Sequence, residues 1–274
     1  MSMLEIIKVI IYGIVEGITE WLPISSTGHL ILLQQFLPLD VRPDFFELFK
    51  VVIQLGAILA VMVIYFHKLN PISPSKTQEE KKQSIDLWIK VAIATLPAVL
   101  VFPLDNLVEA HFMNHVTVAL MLILYGILFI WIEKNASRKV SISQLETLTY
   151  KTALFIGISQ ILALIPGTSR SGVTILAAVL LGTSRYVATE FSFFLGIPAM
   201  FGLSGLKLIK FLLKHSMSLE EFMMLLVAML VAFVVSMIVI QRLVKYVKKH
   251  NFTAFGKYRI VLGFVVLLAS FFVK

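Results

Sequence analysis

Two glutamates near the N-terminus have a spacing that suits metal-assisted chemistry. Glu16 and Glu20 are four residues apart, so on a helix they share one face. Two carboxylates at this spacing repel each other, and in a low-dielectric environment each also loses hydration. We therefore expect a cation to hold them. A hard divalent ion such as Mg²⁺ or Ca²⁺ prefers carboxylate oxygens and leaves positions for water and phosphate. A shared proton or an arginine partner is the alternative.

A hydroxyl-rich run with one histidine follows directly. It contains Ser25, Ser26, Thr27 and His29. Ser26 and His29 can act as nucleophile and base if the turn brings their side chains together. Alternatively, His29 takes a phosphoryl group itself or protonates a leaving oxygen. A metal-bound water is the third candidate nucleophile, and the sequence leaves this choice open.

A second hydroxyl-rich run in the C-terminal half carries an arginine. Arg170 lies between Ser169 and Ser171, and Thr174 follows one turn later. The planar guanidinium suits phosphate oxygens, and backbone amides at a glycine-bordered helix start add to anion binding. The alternative is that Arg170 only neutralises one of the glutamates. Two carboxylates, an arginine, a histidine and several hydroxyls exceed what a structural ion pair requires.

The composition indicates which elements must position these residues. The chain of 274 residues is 58% hydrophobic and 15% charged, whereas soluble domains average about 25% charged residues. The absence of cysteine excludes disulfides and thiolate sites. The net charge of +8 is expected at loops and lipid headgroups rather than at a nucleic-acid surface. The sequence therefore predicts an all-α polytopic membrane protein. The apolar runs are 4–33, 45–66, 86–103, 115–133, 152–182, 186–206, 221–241 and 258–273.

Two of these runs, 4–33 and 152–182, are too long for one membrane span, too short for two, and broken near the middle by the polar clusters. Irregular backbone at membrane depth is tolerated only when it is buried in protein or lines a wet cavity. We therefore predict a re-entrant helical hairpin for each broken run and about six transmembrane helices for the rest. The alternative is that proline and glycine merely kink ordinary spans.

The basic residues of the loops predict the orientation. They concentrate in loops 67–86, 134–151 and 242–259, which we assign to the cytoplasm. All three loops lie on the same side of the membrane only if 152–182 is a hairpin rather than a full span. This orientation leaves the three lysines of 207–214 on the outer side. The basic residues counted in the three loops are Lys68, Lys76, Lys81, Lys82, Lys134, Arg138, Lys139, Lys151, Arg242, Lys245, Lys248, Lys249, Lys257 and Arg259.

An internal repeat relates the two halves of the chain. Residues 17–22 resemble residues 157–162, and residues 54–57 resemble residues 194–197. Each half then contains one hairpin followed by three spans. Because three is odd, the halves have opposite orientations. Inverted repeats place a binding site near the bilayer midplane, where the two broken segments face each other.

The repeat defines a single membrane domain, 1–274, with repeat one at about 1–133 and repeat two at about 150–274. Gln160 occupies the position that corresponds to Glu20. We expect Gln160 and Gln54, which lies deep in its predicted helix, to line the substrate site.

Three stretches of the sequence resemble the BacA-type undecaprenyl-diphosphate phosphatases. Residues 16–30 are similar to the first signature of this family, residues 166–172 to the second, and residues 52–61 to a further family stretch. The resemblance implies an inverted-repeat fold in the bacterial cytoplasmic (inner) membrane, a requirement for divalent metal and a site that opens to the outer face. It also implies hydrolysis of undecaprenyl diphosphate to the monophosphate. This reaction recycles the lipid carrier for peptidoglycan and confers bacitracin resistance.

The resemblance also distributes roles over the site. It assigns Glu16 and Glu20 to the metal and the acidic motif, Ser26 and His29 to the chemistry, and Arg170 with its serines to the diphosphate. Our full prediction for substrate binding comprises Ser25, Thr27, Gln54, Gln160, Ser169, Arg170, Ser171 and Thr174.

The rival hypothesis is a polyprenyl-phosphate transporter or flippase, because inverted repeats with broken helices are transporter architecture. The expected partners are the lipid substrate and bilayer lipids, with no nucleic acid, and a homodimer is left open.

Overall fold

The computed structural model describes residues 2–135 and 140–271, which are predominantly helical. The helices of the first half are α1 (Met3–Thr19), α2 (Ser26–Phe36), α3 (Pro43–Ile64), α4 (Phe66–Leu69), α5 (Gln78–Val101), α6 (Asp105–Phe112) and α7 (His115–Lys134). Those of the second half are α8 (Tyr150–Gln160), α9 (Arg170–Leu180), α10 (Arg185–Lys214), α11 (Leu219–Val247) and α12 (Thr253–Phe271).

Six helices in the described ranges are long and apolar enough to cross a membrane, namely α3, α5, α7, α10, α11 and α12. Their outer faces carry large apolar side chains such as Val63, Leu100 and Leu230, each more than half exposed. A soluble protein rarely exposes so much contiguous apolar surface, whereas a bilayer covers it. The predicted all-α polytopic membrane fold is confirmed.

The two long broken runs fold as helix–break–helix hairpins, as predicted. α1 and α2 form the first hairpin, and α8 and α9 form the second. The returning helices α2 and α9 have 11 residues each, about half of what a helix needs to cross a bilayer. Each hairpin therefore places a non-helical break inside the bundle, where surrounding helices shield its backbone.

Helix packing follows a two-fold pattern that matches the repeat. α1 packs along α11, and its counterpart α8 packs along α5. α2 contacts α12 while α9 contacts α7, and the pairs α3–α10 and α7–α12 lie between the halves. The counterparts of α1, α2, α3, α5 and α7 are α8, α9, α10, α11 and α12. Exchanging each helix for its counterpart reproduces these contacts. This pattern supports the repeat, whose boundaries near 133 and 150 stay a prediction.

Glycines allow the hairpins to lie directly against their neighbouring spans. A Cβ atom added to Gly17 would lie 2.8 Å from the carbonyl oxygen of Ala232 in α11. At the corresponding position in repeat two, a Cβ on Gly157 would lie 2.2 Å from the carbonyl oxygen of Ala94 in α5. Any larger residue would push a hairpin away from its span, so these contacts fix the depth of both breaks.

One residue of the predicted basic loops is instead fully buried within a helix. Arg259 was assigned to the cytoplasmic loop 242–259, but α12 begins at Thr253 and the arginine is fully buried within that helix. The assignment is wrong, because the polar stretch before α12 hides where the helix starts. Two further predicted loop residues, Arg138 and Lys139, lie outside the described residues.

Candidate active site

The two breaks end in the same unusual backbone conformation. Ser25 and Ser169 precede α2 and α9, with φ angles of 73° and 69°. They are the non-glycine residues with positive φ in the described part of the chain. Each serine caps its helix, because its Oγ accepts a hydrogen bond from the backbone N–H three residues later, that of Gly28 or Gly172. Such backbone strain costs about 1–3 kcal/mol per residue and concentrates at functional sites.

The residues that follow these two serines meet at one carboxylate. Ser26 Oγ donates to Glu20 Oε2 over 2.8 Å, and Arg170 Nη2 donates to Glu20 Oε1 over 3.0 Å. Glu20 is 7% exposed and Ser26 is 8% exposed, so the contacts are shielded from bulk water. The structure thus brings together three of the predicted residues, with Arg170 coming from the opposite half of the chain.

Helix α10 holds the guanidinium of Arg170 in place. Arg170 Nη1 donates to the carbonyl oxygen of Ser192 over 2.9 Å. A Cβ atom on Gly196 would lie 2.9 Å from Nη2, so a larger residue there would displace the guanidinium from this position. Thr174, whose role in substrate binding stays a prediction, supports this arrangement: its Oγ1 donates to the carbonyl of Arg170 and lies 2.7 Å from Ser192 Oγ. Ser192 is not predicted from the sequence, and Gly196 is predicted only as a repeat position.

The serines beside Arg170 connect the second break to the first. Ser171 Oγ donates to the backbone carbonyl of Glu20 over 3.1 Å and lies 3.2 Å from Ser169 Oγ. Ser171 therefore links α9 to the end of α1. Thr27, next to Ser26, is half-buried, and no described hydrogen bond joins Gln54 to either break.

His29 has partners other than the predicted one. Its Nδ1 lies 2.7 Å from the carbonyl oxygen of Ser25, and its Nε2 lies 2.8 Å from the hydroxyl of Tyr258. The Ser26 hydroxyl points to Glu20 instead. The predicted Ser26–His29 hydrogen bond is therefore absent among the described contacts, because one turn of α2 places the imidazole over the Ser25 carbonyl. Tyr258 was not predicted.

Glu16 is a buried carboxylate without a protein partner. It is 0% exposed, and neither of its oxygens has a hydrogen-bond partner among the described residues. Leaving an ionised carboxylate in this state is expensive unless a cation is present, and a proton is the alternative remedy. The residue therefore fits a hard divalent ion. In the described ranges no cluster of three His, Cys, Asp or Glu residues surrounds it. The two glutamates and oxygens of water and substrate are the ligand set that Mg²⁺ commonly takes.

Further buried polar atoms at the breaks lack a partner within the described residues. They are Trp21 Nε1, Gln160 Oε1 and Thr168 Oγ1. Buried polar groups are almost always paired with protein or ordered water. Their concentration at the two breaks indicates that a polar ligand or water belongs there, and the role of Gln160 in substrate binding stays a prediction.

Arg259 in α12 connects the two breaks through hydrogen bonds to their backbone carbonyls. Its Nη1 donates to the carbonyl of Pro23 over 3.2 Å, and its Nη2 donates to the carbonyls of Gly167 and Thr168 over 2.9 and 3.0 Å. The described contacts include no carboxylate for this arginine, so its positive charge is not neutralised. The residue both fixes the spacing of the breaks and makes the region favourable for an anion. Arg259 falls within both the predicted apolar run 258–273 and the predicted basic loop 242–259, and counting it with the loop hid its place in the helix.

Fold and site together define a polytopic membrane protein in which two helix–break–helix hairpins bring buried charged and hydroxyl groups together. The family model described as Bacitracin resistance protein BacA matches residues 9–265, and the chain belongs to this family. Among similar proteins are those named undecaprenyl-diphosphatase from Streptococcus pyogenes serotypes M3, M1 and M5. Each is 57% identical over 275 residues, which cover 99% of this chain and 99% of the relative. The family resemblance inferred from the signatures is confirmed.

Proposed function

We propose that this protein hydrolyses undecaprenyl diphosphate to undecaprenyl phosphate and inorganic phosphate, in the bacterial cytoplasmic membrane and with its site open to the outer face. The observation that carries the proposal is the convergence of Ser26 and Arg170 on the two oxygens of Glu20. The names of the 57% identical relatives support the substrate. Hydrolysis recycles the lipid carrier for peptidoglycan and removes the diphosphate that bacitracin binds.

Positive charge and backbone donors bind the diphosphate. The guanidinium of Arg170 has more donors than its contacts to Glu20 and Ser192 use. The starts of α2 and α9 add backbone N–H groups and the positive ends of the helix dipoles. Ser169 and Thr27 flank this region and complete the binding of the phosphates. The prenyl tail extends into the bilayer, because the hairpins lie within an apolar bundle.

Ser26 is the nucleophile of the first half-reaction. Its oxygen forms a bond to the terminal phosphorus, and its proton passes to Glu20 Oε2, which already accepts it over 2.8 Å. The bond from that phosphorus to the bridging oxygen breaks, and undecaprenyl phosphate leaves with the electron pair. Arg170 stabilises the charge on the terminal phosphoryl oxygens, which is the main task of a phosphoryl-transfer site.

Water completes the second half-reaction. A water oxygen bonds to phosphorus while the bond to Ser26 Oγ breaks, and Ser26 recovers its proton from Glu20. The proton that water loses passes to His29 and from there to solvent. Inorganic phosphate then departs, and the site returns to its starting state.

The buried glutamates support a divalent ion in this scheme. Glu16 would be its main protein ligand, because both oxygens of Glu20 already have protein partners. Mg²⁺ or Ca²⁺ at this position supplies charge neutralisation for the phosphate oxygens.

Phosphate release in detergent micelles tests the proposal. Wild-type protein should release phosphate from undecaprenyl diphosphate only when a divalent ion is present, and Glu20→Gln and Arg170→Ala should release far less. A micelle has no second compartment, so a transporter or flippase would bind the lipid without releasing phosphate. Binding without release in the wild type would contradict the proposed function.

A further inference from the structure

Tyr258 makes the one described side-chain contact to the outer nitrogen of His29. The phenol oxygen lies 2.8 Å from His29 Nε2. The two rings are nearly parallel, with an interplanar angle of 7° and centroids 5.7 Å apart. Tyr258 belongs to α12, directly before Arg259, and is 46% exposed. The contact therefore joins the last helix to the first break at an accessible edge of the site.

The opposite ring nitrogen determines the tautomer of His29. Nδ1 lies 2.7 Å from the carbonyl oxygen of Ser25. A carbonyl only accepts hydrogen bonds, so Nδ1 carries the proton. In a neutral imidazole Nε2 is then an acceptor, and it receives the hydroxyl proton of Tyr258. Because Ser25 is the positive-φ cap of α2, the geometry of the break itself selects this tautomer.

We infer that Tyr258 is a positioning residue that reserves His29 Nε2 for proton transfer. When Nε2 takes a proton, the imidazole becomes the donor, and the phenol oxygen accepts through its lone pairs. The phenol passes its own proton to Nε2 and replaces it with the proton that water loses, so the phenol stays neutral and the pair holds both charge states of His29. The inference rests on the proposed function, in which His29 takes the proton that the attacking water loses.

The same contact argues against phosphorylation of His29. A bond from Nε2 to phosphorus would require the phenol oxygen, now 2.8 Å away, to leave its place. Nδ1 is equally occupied by the Ser25 carbonyl. With neither nitrogen open to phosphorus, His29 is reached only by a proton that passes through the Tyr258 hydroxyl, and the phosphoryl group goes to Ser26.

Tyr258→Phe removes the hydroxyl and keeps the ring, so it separates this role from packing. We expect kcat to fall about tenfold, with KM within about twofold and an unchanged unfolding temperature, since a hydrogen bond to a charged state of His29 is lost. The matched control is Tyr150→Phe. Tyr150 is the first residue of α8, and its hydroxyl donates a hydrogen bond to Asp86 in α5. The control should retain wild-type kinetics. A Tyr258→Phe protein with wild-type kcat, or with a loss confined to KM or stability, would overturn the inference.

Nitrogen NMR of protein labelled at histidine detects the contact between His29 Nε2 and the Tyr258 hydroxyl without any need for substrate hydrolysis. The His29 signals are identified by their absence in His29→Ala. We expect a protonated Nδ1 and an Nε2 signal that moves towards the value of a free imine nitrogen in Tyr258→Phe but not in Tyr150→Phe. Unmoved signals would overturn the inference. Failure of wild-type protein to release phosphate would instead overturn the proposed function, and the spectra would remain interpretable in that case.

Discussion

Ser26 and Arg170 occupy corresponding positions in the two breaks and donate to opposite oxygens of a single carboxylate. Each follows a serine with positive φ and begins a short helix. Repeat one thus supplies a hydroxyl where repeat two supplies a guanidinium, and Glu20 joins them. The inverted repeat produces an asymmetric site because corresponding positions carry different chemistry.

Removing the Ser26 hydroxyl should abolish most activity. If Ser26 is the nucleophile, Ser26→Ala should lower kcat by about a thousandfold or more, as for other enzymes that lose a covalent nucleophile. Ser204→Ala is the control, because Ser204 is also buried and its hydroxyl donates only to the Val51 carbonyl among the described contacts. Phosphate release in micelles measures both. Near-normal turnover of Ser26→Ala would remove serine from the scheme and favour water.

A methyl group at Gly196 should displace the arginine of the site. A Cβ there would lie 2.9 Å from Arg170 Nη2, so Gly196→Ala should lower kcat/KM by about tenfold or more, equal to about 1.4 kcal/mol of transition-state stabilisation. Gly202→Ala lies in the same helix with nothing within 4 Å of the added atom. Both changes raise helix propensity by a similar amount. Equal kinetics of the two variants would contradict the role assigned to α10.

Arg259 should stabilise the fold through the two breaks. Arg259→Met leaves the carbonyls of Pro23, Gly167 and Thr168 without their donor, and we expect a loss of about 3 kcal/mol or more in the free energy of unfolding. Arg259→Lys should recover part of it, because an ammonium reaches fewer carbonyls. Thermal unfolding in detergent measures the effect, with the exposed Arg242→Met as control. Equal stabilities of the Arg259→Met and Arg242→Met proteins would show that the connection is unimportant.

Neutralising Glu16 should separate metal binding from folding. Its carboxylate has no described protein partner, so Glu16→Gln removes a buried charge without breaking a contact. In EDTA the variant should unfold at the same or a higher temperature than wild type. Mg²⁺ or Ca²⁺ should stabilise only the wild type, because a ligand that binds the native state raises its stability. The metal concentration for half-maximal phosphate release should rise at least about tenfold, by analogy with losses of metal affinity in other sites. Equal metal stabilisation of both proteins would exclude Glu16 as a ligand.

The sequence predicts the fold and the convergence of the breaks, but not the individual contacts. Apolar run lengths and the repeat suffice for the hairpins and for the two breaks to face each other. The pairing of Arg170 with a glutamate is only the alternative interpretation, and the sequence does not say which glutamate is the partner. Run lengths and the repeat also do not distinguish Glu20 from His29 as the partner of Ser26, because that choice depends on how the strained turn directs the hydroxyl.

The site residues of α12 are not predicted from the sequence, for a different reason. Tyr258 and Arg259 reach the first break from more than two hundred residues along the chain, and Arg259 reaches the second from about ninety. No local pattern predicts such contacts. Arg259 also follows a basic loop, so its charge is indistinguishable from the loop charges until the start of the helix at Thr253 is known.

Trapping the reaction intermediate tests the central claim most directly. Protein mixed with undecaprenyl diphosphate labelled in its terminal phosphate is quenched within the first turnover, digested and mapped. The proposed mechanism predicts an acid-stable phosphate ester on Ser26 that is absent in Ser26→Ala. An acid-labile phosphate on His29, or turnover with no label on the protein at any quench time, would contradict it.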